Sequence, residues 1–351
     1  MIGHLAYAAG APCPTFVLDS GRLPREERAM LAHLTEARRY LVSAGGAHVL
    51  KIALVEPSEH PMFDLDYRFV QALPGAPDRF DMRGSCGHSI LAAVIAASRS
   101  EMLPRLVPGA RVRVHVRNNG DSVVCEVEQV ERDTAVFTVT FVQPAPVPFG
   151  TLLPGGGTRT VLDTGDERVE VSLVTSANTY AFVDARALGV PDQAALFGAG
   201  TELLARLEKV RRAGADLLGW PRDGAFPKVA AVLPGSGGGL AARAVTVPGW
   251  HPSIALTGAV CLGSAVRIPG TLPWQAAREN GADTGLIEIA TPGGRTAVSA
   301  VTSVPTDGDG TLLWAAVARK HVTFRGSFVL EPLSHLQFEE VARCLALSEA
   351  A

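Results

Sequence analysis

The residues of this chain best placed to move protons are a cysteine and a lysine, each set in apolar surroundings. In "FDMRGSCGHSILAAVIAASRS", residues 80–100, Cys86 comes just before a run that is apolar on every side, the pattern of a helix buried all round. A thiol about two residues ahead of that helix lies near unpaired backbone N–H groups and the positive end of the helix dipole, which favours the thiolate. Such a thiol serves as acid or base near neutral pH, and Gly84 and Gly87 beside it admit a ligand close to the backbone. The competing reading is a small inert cysteine packed in a tight turn.

Lys51 interrupts the apolar stretch "HVLKIALV" and, by strand alternation, shares a face with Val49, Ala53 and Val55. A lysine on that face either snorkels to water at a sheet edge or is aimed into a cleft, where loss of solvent makes it a proton carrier. The second half has a counterpart in "WHPSIALTGAVCLGSAVRIPGT", residues 250–271. Ser253, Thr257 and Gly258 there offer hydroxyls and backbone amides to a carboxylate at a helix N-terminus. Cys261 falls deeper in the helix and reads as packing. His251 either contacts ligand or shapes the turn before the helix, and Asn178 is a further candidate contact.

These groups need elements to hold them. Strand patterns in "PTFVLDS", "HVLKIALVEP" and "DYRFVQAL" surround an amphipathic helix in "REERAMLAHLTEARRYL", and the buried helix after Cys86 leads to a hairpin turned at "NNGD" and to "TAVFTVTFV". The glycine-rich "FGTLLPGGGTRTVLDTGDE" breaks the composition, after which the order repeats around "TELLARLEKVRRAGADLL" and the second Ala-rich helix. The expected fold is therefore α+β, two pseudo-symmetric halves at 1–165 and 166–351, with the last strands and helix able to return to the first half. Neither buried helix opens with a phosphate-binding glycine fingerprint, and "PGSGGGL" reads as a loop.

A net charge of −3 with 32 scattered basic residues argues against nucleic acid or a polybasic membrane anchor. The five cysteines are too few and too spread for a disulfide framework, and no Cys/His cluster suggests a metal, so reduced cytoplasmic thiols are expected. The N-terminal stretch lacks the pattern of a signal peptide, and no apolar run reaches the roughly 18 residues of a membrane span.

Several stretches, in order, resemble the 2-methylaconitate cis-trans isomerase family, which includes methylitaconate isomerases, oxalomesaconate tautomerase and aconitate isomerases. They are "GGAHVLKIALVEPSEHPMFDLDYRFVQ", "GSCGHS", "VRVHVRNNGDS", "TLLPGGGT" and "HPSIALTGAVCLGSAVRIPGT", and the similarity covers most of the chain. The resemblance implies the diaminopimelate-epimerase-like fold, in which each domain is a curved, mostly antiparallel sheet wrapped around a central helix, with substrate between the two helix N-termini. It also implies cofactor-free proton transfer by the strand lysine and the turn cysteine, here Lys51 and Cys86.

The departures bear on substrate. Where the family carries Arg-Gly-Gly-Thr-Ser-Lys-Gly near its N-terminus, this chain has "AAGAPCPTF", with Ala9 in place of the arginine, Cys13 of the serine and Pro14 of the lysine. Each charge-assisted bond to a carboxylate is worth about 1.5–3 kcal/mol, so a substrate less charged than methylaconitate is expected. Ser85 and His88 replace the asparagines flanking the family cysteine, and Thr291 stands where the family usually has histidine. His88 is either an extra acid or base or a residue of the helix start.

The leading expectation is an isomerase that shifts a C=C bond, or changes its geometry, in a small unsaturated carboxylate or related carbonyl compound. Either Lys51 or Cys86 removes the allylic proton, and amides near 84–87 and 253–258 stabilise the dienolate. A two-base racemase of the same fold would need a second thiol facing Cys86, and the altered N-terminal motif leaves room for a non-catalytic or repurposed binding protein. The sequence leaves open whether the chain acts alone or as a homodimer.

Overall fold

The computed structural model describes residues 1–333 apart from 238, 248, 282–284 and 304–309. The first half runs β1 (Ile2–Ala8), β2 (Thr15–Asp19), α1 (Glu27–Ser43), β3 (Lys51–Pro57), β4 (Leu65–Ala72), β5 (Phe80–Asp81), α2 (Gly87–Arg99), β6 (Arg111–Val116), β7 (Ser122–Val130) and β8 (Thr134–Pro148). The second runs β9 (Thr160–Asp163), β10 (Arg168–Ser176), β11 (Asn178–Asp184), α3 (Gln193–Gly198), α4 (Thr201–Leu217), β12 (Lys228–Pro234) and β13 (Leu240–Ala244). It finishes with α5 (Leu256–Val266), α6 (Leu272–Glu279), β14 (Leu286–Thr291), β15 (Gly294–Ser303) and β16 (Thr311–Val329).

The two halves share one wiring. In the first, β2 pairs parallel with β3, β3 antiparallel with β4, and β4 parallel with β6, before an antiparallel run through β7 to β8. In the second, β11, β12, β13 and β14 pair in the same alternating senses, and an antiparallel run follows through β15 to β16. The amphipathic helices α1 and α4 fill equivalent crossovers, and the buried helices α2 and α5 fill the next ones.

Helix α2 is buried from Gly87 to Ala97, and every residue of α5 is buried, so neither has a face to give to water. Strands wrap them instead. The order β1-β2-β3-β4-β6-β7-β8-β16, closed by β1 on β16, makes a ring around α2 with no free edge. Strand β16 is the shared member, pairing with β8 along one side and with β15 and then β1 along the other.

Some elements depart from the sequence expectation. β1, with two alanines and a glycine, and β13, with three alanines, lack a clear alternating pattern, yet both are paired on two sides, so their strand state comes from neighbours. β16 begins well before "VTFRGSFV", and α6 and β9 lie where no element was expected. The helix expected at the C-terminal end, with Cys344, lies outside the described residues.

Candidate active site

Strand β3 is central, flanked by β2 and β4, so the sheet-edge reading of Lys51 fails. Ile52 and Leu54 pack toward α1, whereas Ala53 and Val55 join the core around α2. Lys51 shares that inner face, only 4% exposed at the head of the strand. Cys86, 5% exposed, is the N-cap of α2, one residue nearer the helix than the sequence suggested. Burial alone would raise its thiol; the Lys51 ammonium, the Ser89 hydroxyl and amide, and a hydrogen bond from Lys51 outweigh this and lower its pKa below the ordinary thiol value. Cys13 also senses Lys51, yet burial holds its thiol above the ordinary value.

The turn that presents Cys86 is held by the second half. Ser85 N–H donates to Asn178 Oδ1 at 2.8 Å, while Asn178 Nδ2 donates to Ser85 O at 2.7 Å and to Thr257 Oγ1 at 2.9 Å. Asn178 is thus a clamp between the Cys86 turn and the start of α5, its side-chain oxygen accepting one bond and its amide nitrogen donating two.

The glycines have a different use from the one expected. A Cβ on Gly84 would meet the Phe226 ring at 2.2 Å, one on Gly87 would meet Leu256 Cδ2 at 2.5 Å, and one on Gly258 would meet Tyr180 Oη at 2.4 Å. The space that a ligand was to enter is filled by side chains. These glycines let the N-termini of α2 and α5 abut, which brings two positive helix ends together. Ser253 likewise spends its amide on His251 Nδ1 (3.1 Å) and its hydroxyl on Gly10 O (3.1 Å). Thr291 caps a turn by bonding Gly294 O, and Cys261 packs with its thiol on Val174 O, burial raising its pKa.

Two cations escaped the sequence reading. Lys228 heads β12 and, like Lys51, shares its face with residues packed on the buried helix, here Ala230 and Val232 against the α5 side. Burial and the Lys51 charge push its pKa down to about 8, against the upward pull of Cys86 and Asp81. Its Nζ lies 4.5 Å from the centre of the Phe226 ring. Lys320, in β16, donates to Thr296 Oγ1 at 2.7 Å, and burial pushes it also to about 8. The readable signal for Lys228 was its place at the head of a strand after an amphipathic helix, as for Lys51.

His88 (1% exposed) and His251 (3% exposed) come from opposite halves and stack with ring centres 6.0 Å apart and planes 19° apart. Both are held neutral: burial and the Lys51 charge, with each imidazole's further cationic neighbours, lower their pKa values well below the usual histidine range. Among the described residues, both ring nitrogens of His88 and Nε2 of His251 are buried without a hydrogen-bond partner. A groove of about 720 Å³ lined by Pro12, Cys13, Leu50 and Val247 opens beside Cys13, and none of Lys51, Cys86, His88 and His251 lines it. No group of three or more His, Cys, Asp or Glu residues suited to a metal occurs among the described residues.

Residues 40–326 match the PrpF protein family. The 3-methylitaconate isomerase of Eubacterium barkeri is 29% identical over 74% of this chain and 77% of its own length. The 4-oxalomesaconate tautomerase of Pseudomonas putida is 28% identical over 77% of this chain and 80% of its own. In structure, the chain is similar to crystallised methylitaconate-delta-isomerase, with a TM-score of 0.64 at 23% identity over 93% of this chain and 95% of that one. It is also similar to a hydroxyproline epimerase from Agrobacterium vitis, with a TM-score of 0.60 at 15% identity over 93% and 90%. The chain thus has the diaminopimelate-epimerase-like fold, similar to that of an isomerase and of an epimerase. With the family matched across both halves of that architecture, from the helix before Lys51 to the shared strand β16, this chain belongs to the PrpF family.

Proposed function

We propose that the chain is an isomerase that moves a C=C bond in a small unsaturated carboxylate by a 1,3-proton shift, with Cys86 and Lys51 as the proton carriers. The observation that carries this is their pairing, a thiol lowered in pKa by a buried lysine at the N-terminus of an all-buried helix. It favours the Cys86 thiolate as base and the Lys51 ammonium as acid. The thiolate takes the allylic proton, and the electron pair delocalises through the double bond onto the carboxylate as a dienolate. The Lys51 ammonium then delivers a proton to the far carbon, and the new Cys86 thiol returns its proton to the Lys51 amine. The charge on the intermediate faces two converging helix N-termini and the Lys228 ammonium, which stabilise it.

Not every amide expected to help is available. That of Ser85 is held by Asn178, so stabilisation falls to the first free amides of α2. The racemase alternative lacks support: across from Cys86 stands Thr257, whose hydroxyl accepts from Asn178, and the thiol of Cys13 belongs to the same half as Cys86. Proton NMR in deuterated water tests the proposal. Itaconate-type and mesaconate-type acids should exchange or isomerise with the wild type and not with Cys86→Ser. No exchange with any conjugated acid, or full activity in Cys86→Ser, would overturn it.

A further inference from the structure

The loop that lacks the family's cations lies beside a buried imidazole whose ring nitrogens have no partner among the described residues. The Ala9 amide donates to His321 O at 2.8 Å, which ties the loop to β16 one residue beyond Lys320. Gly10 O accepts from Ser253, and a Cβ on Gly10 would stand 4.0 Å from His88 Nε2. Three features therefore meet at one place: the missing Arg/Lys clamp, the stacked imidazoles with three buried unpartnered ring nitrogens, and a partly buried lysine whose ammonium is bound only to a threonine hydroxyl among the described residues.

We propose that Lys320, His88 and His251 form a subsite for a second carboxylate of the substrate, which makes the cleft selective for a dicarboxylate.

Buried polar atoms without partners are costly, and a bound group that satisfies them recovers that cost on binding. The chemistry of the surroundings selects an anion. The charged groups facing the imidazoles are Lys51, Lys228 and Lys320, all cationic, while the Cys86 thiolate faces Lys51 and Lys228. A carboxylate placed among them gains from each ammonium and accepts from an imidazole N–H, and it encourages a neutral imidazole to take up a proton. His88, which replaces an asparagine of the family pattern, and Lys320 in the shared strand thus supply from other elements what the N-terminal loop lost. The expected lower substrate charge is met at two carboxylates, one at the reacting end near Lys51 and one here.

This inference rests on the reading of Lys51 and Cys86 as the reacting pair, and binding rather than turnover tests it. Calorimetry would compare maleate with crotonate, which carries the same kind of conjugated double bond and a single carboxylate. The wild type should bind maleate at least about tenfold more tightly. Lys320→Met and His88→Asn should each cut that ratio to within about threefold of unity while crotonate affinity stays, and Lys320→Arg should retain most of it. Equal affinities in the wild type overturn the proposal without any variant. So does an unchanged ratio in both Lys320→Met and His88→Asn at unaltered melting temperature. If no acid exchanges deuterium and the wild-type ratio still holds, the isomerase reading falls and the subsite stands.

Discussion

Lys51 and Lys228 are the same residue in two copies of one structural unit. Each is the first residue of a strand that pairs parallel with the strand before an amphipathic crossover helix, Lys51 opposite Thr15 and Lys228 opposite Tyr180. Each sends its ammonium to the inner face, toward a buried helix. Their sites have diverged around them: Cys86 beside Lys51, and the Phe226 ring beside Lys228.

The Lys51–Cys86 pairing has a direct chemical readout. Because Lys51 lowers the Cys86 thiol, Lys51→Met should shift the pH profile of Cys86 alkylation upward, with Cys13→Ser, Cys125→Ser, Cys261→Ser and Cys344→Ser as background. Isomerisation should fall roughly 10²–10⁴-fold in the same variant. An unmoved alkylation profile would show that Lys51 does not set the thiolate.

Asn178 is a positioning residue, and its loss should cost both stability and rate. Asn178→Ala leaves the Ser85 amide and carbonyl and the Thr257 hydroxyl without their partner in a buried place. A destabilisation of about 2 kcal/mol or more follows, read from urea unfolding. The rate should fall more than substrate affinity, since the turn that aims Cys86 is what loosens.

The abutting helix ends can be tested by a double mutant. Gly87→Ala puts a methyl 2.5 Å from Leu256 Cδ2 and 2.9 Å from Leu256 Cβ, an overpacking worth about 1–3 kcal/mol. Leu256→Ala in the Gly87→Ala background should recover part of that loss, and thermal melts of the four species give the coupling. Additive losses would mean that the two helix ends do not press on each other.

Burial of Lys228 makes stability depend on alkaline pH with a definite sign. With a folded pKa near 8 and an unfolded value near 10.5, the unfolded chain holds more protons between those limits. Stability from this group therefore rises with pH from about 8 to 10.5. Lys228→Met should be more stable than the wild type below pH 8, and that advantage should shrink across the window; an advantage that grows there would contradict the burial of a charged lysine.

The imidazoles give the acid counterpart. His88 and His251 have folded pKa values well below 6.5, so the unfolded chain binds more protons as pH drops through about 6.5, and stability is lost there. His88→Asn should flatten that acid limb in chemical denaturation measured from pH 7 to 5. An unchanged slope would mean that His88 is not held neutral in the fold.

By itself, the sequence determined the repeated order of elements and the two buried helices, and it singled out the two residues proposed here as the reacting pair. The reasons are local: an apolar run with no polar face can only be enclosed, and a thiol before such a run sits at a helix end. Lys51 stood out because one charge in an apolar strand is a conspicuous cost. Only the tertiary structure decided what surrounds that pair. The glycines expected to admit ligand instead admit Phe226, Leu256 and Tyr180, because steric room depends on residues far away in sequence. Asn178, Lys228, Lys320 and the His88–His251 stack come from separate elements across both halves, and no local spacing links them. The charge missing from the N-terminal loop was legible in the sequence. Its replacement was not, because charges act through space and the fold sets their distances.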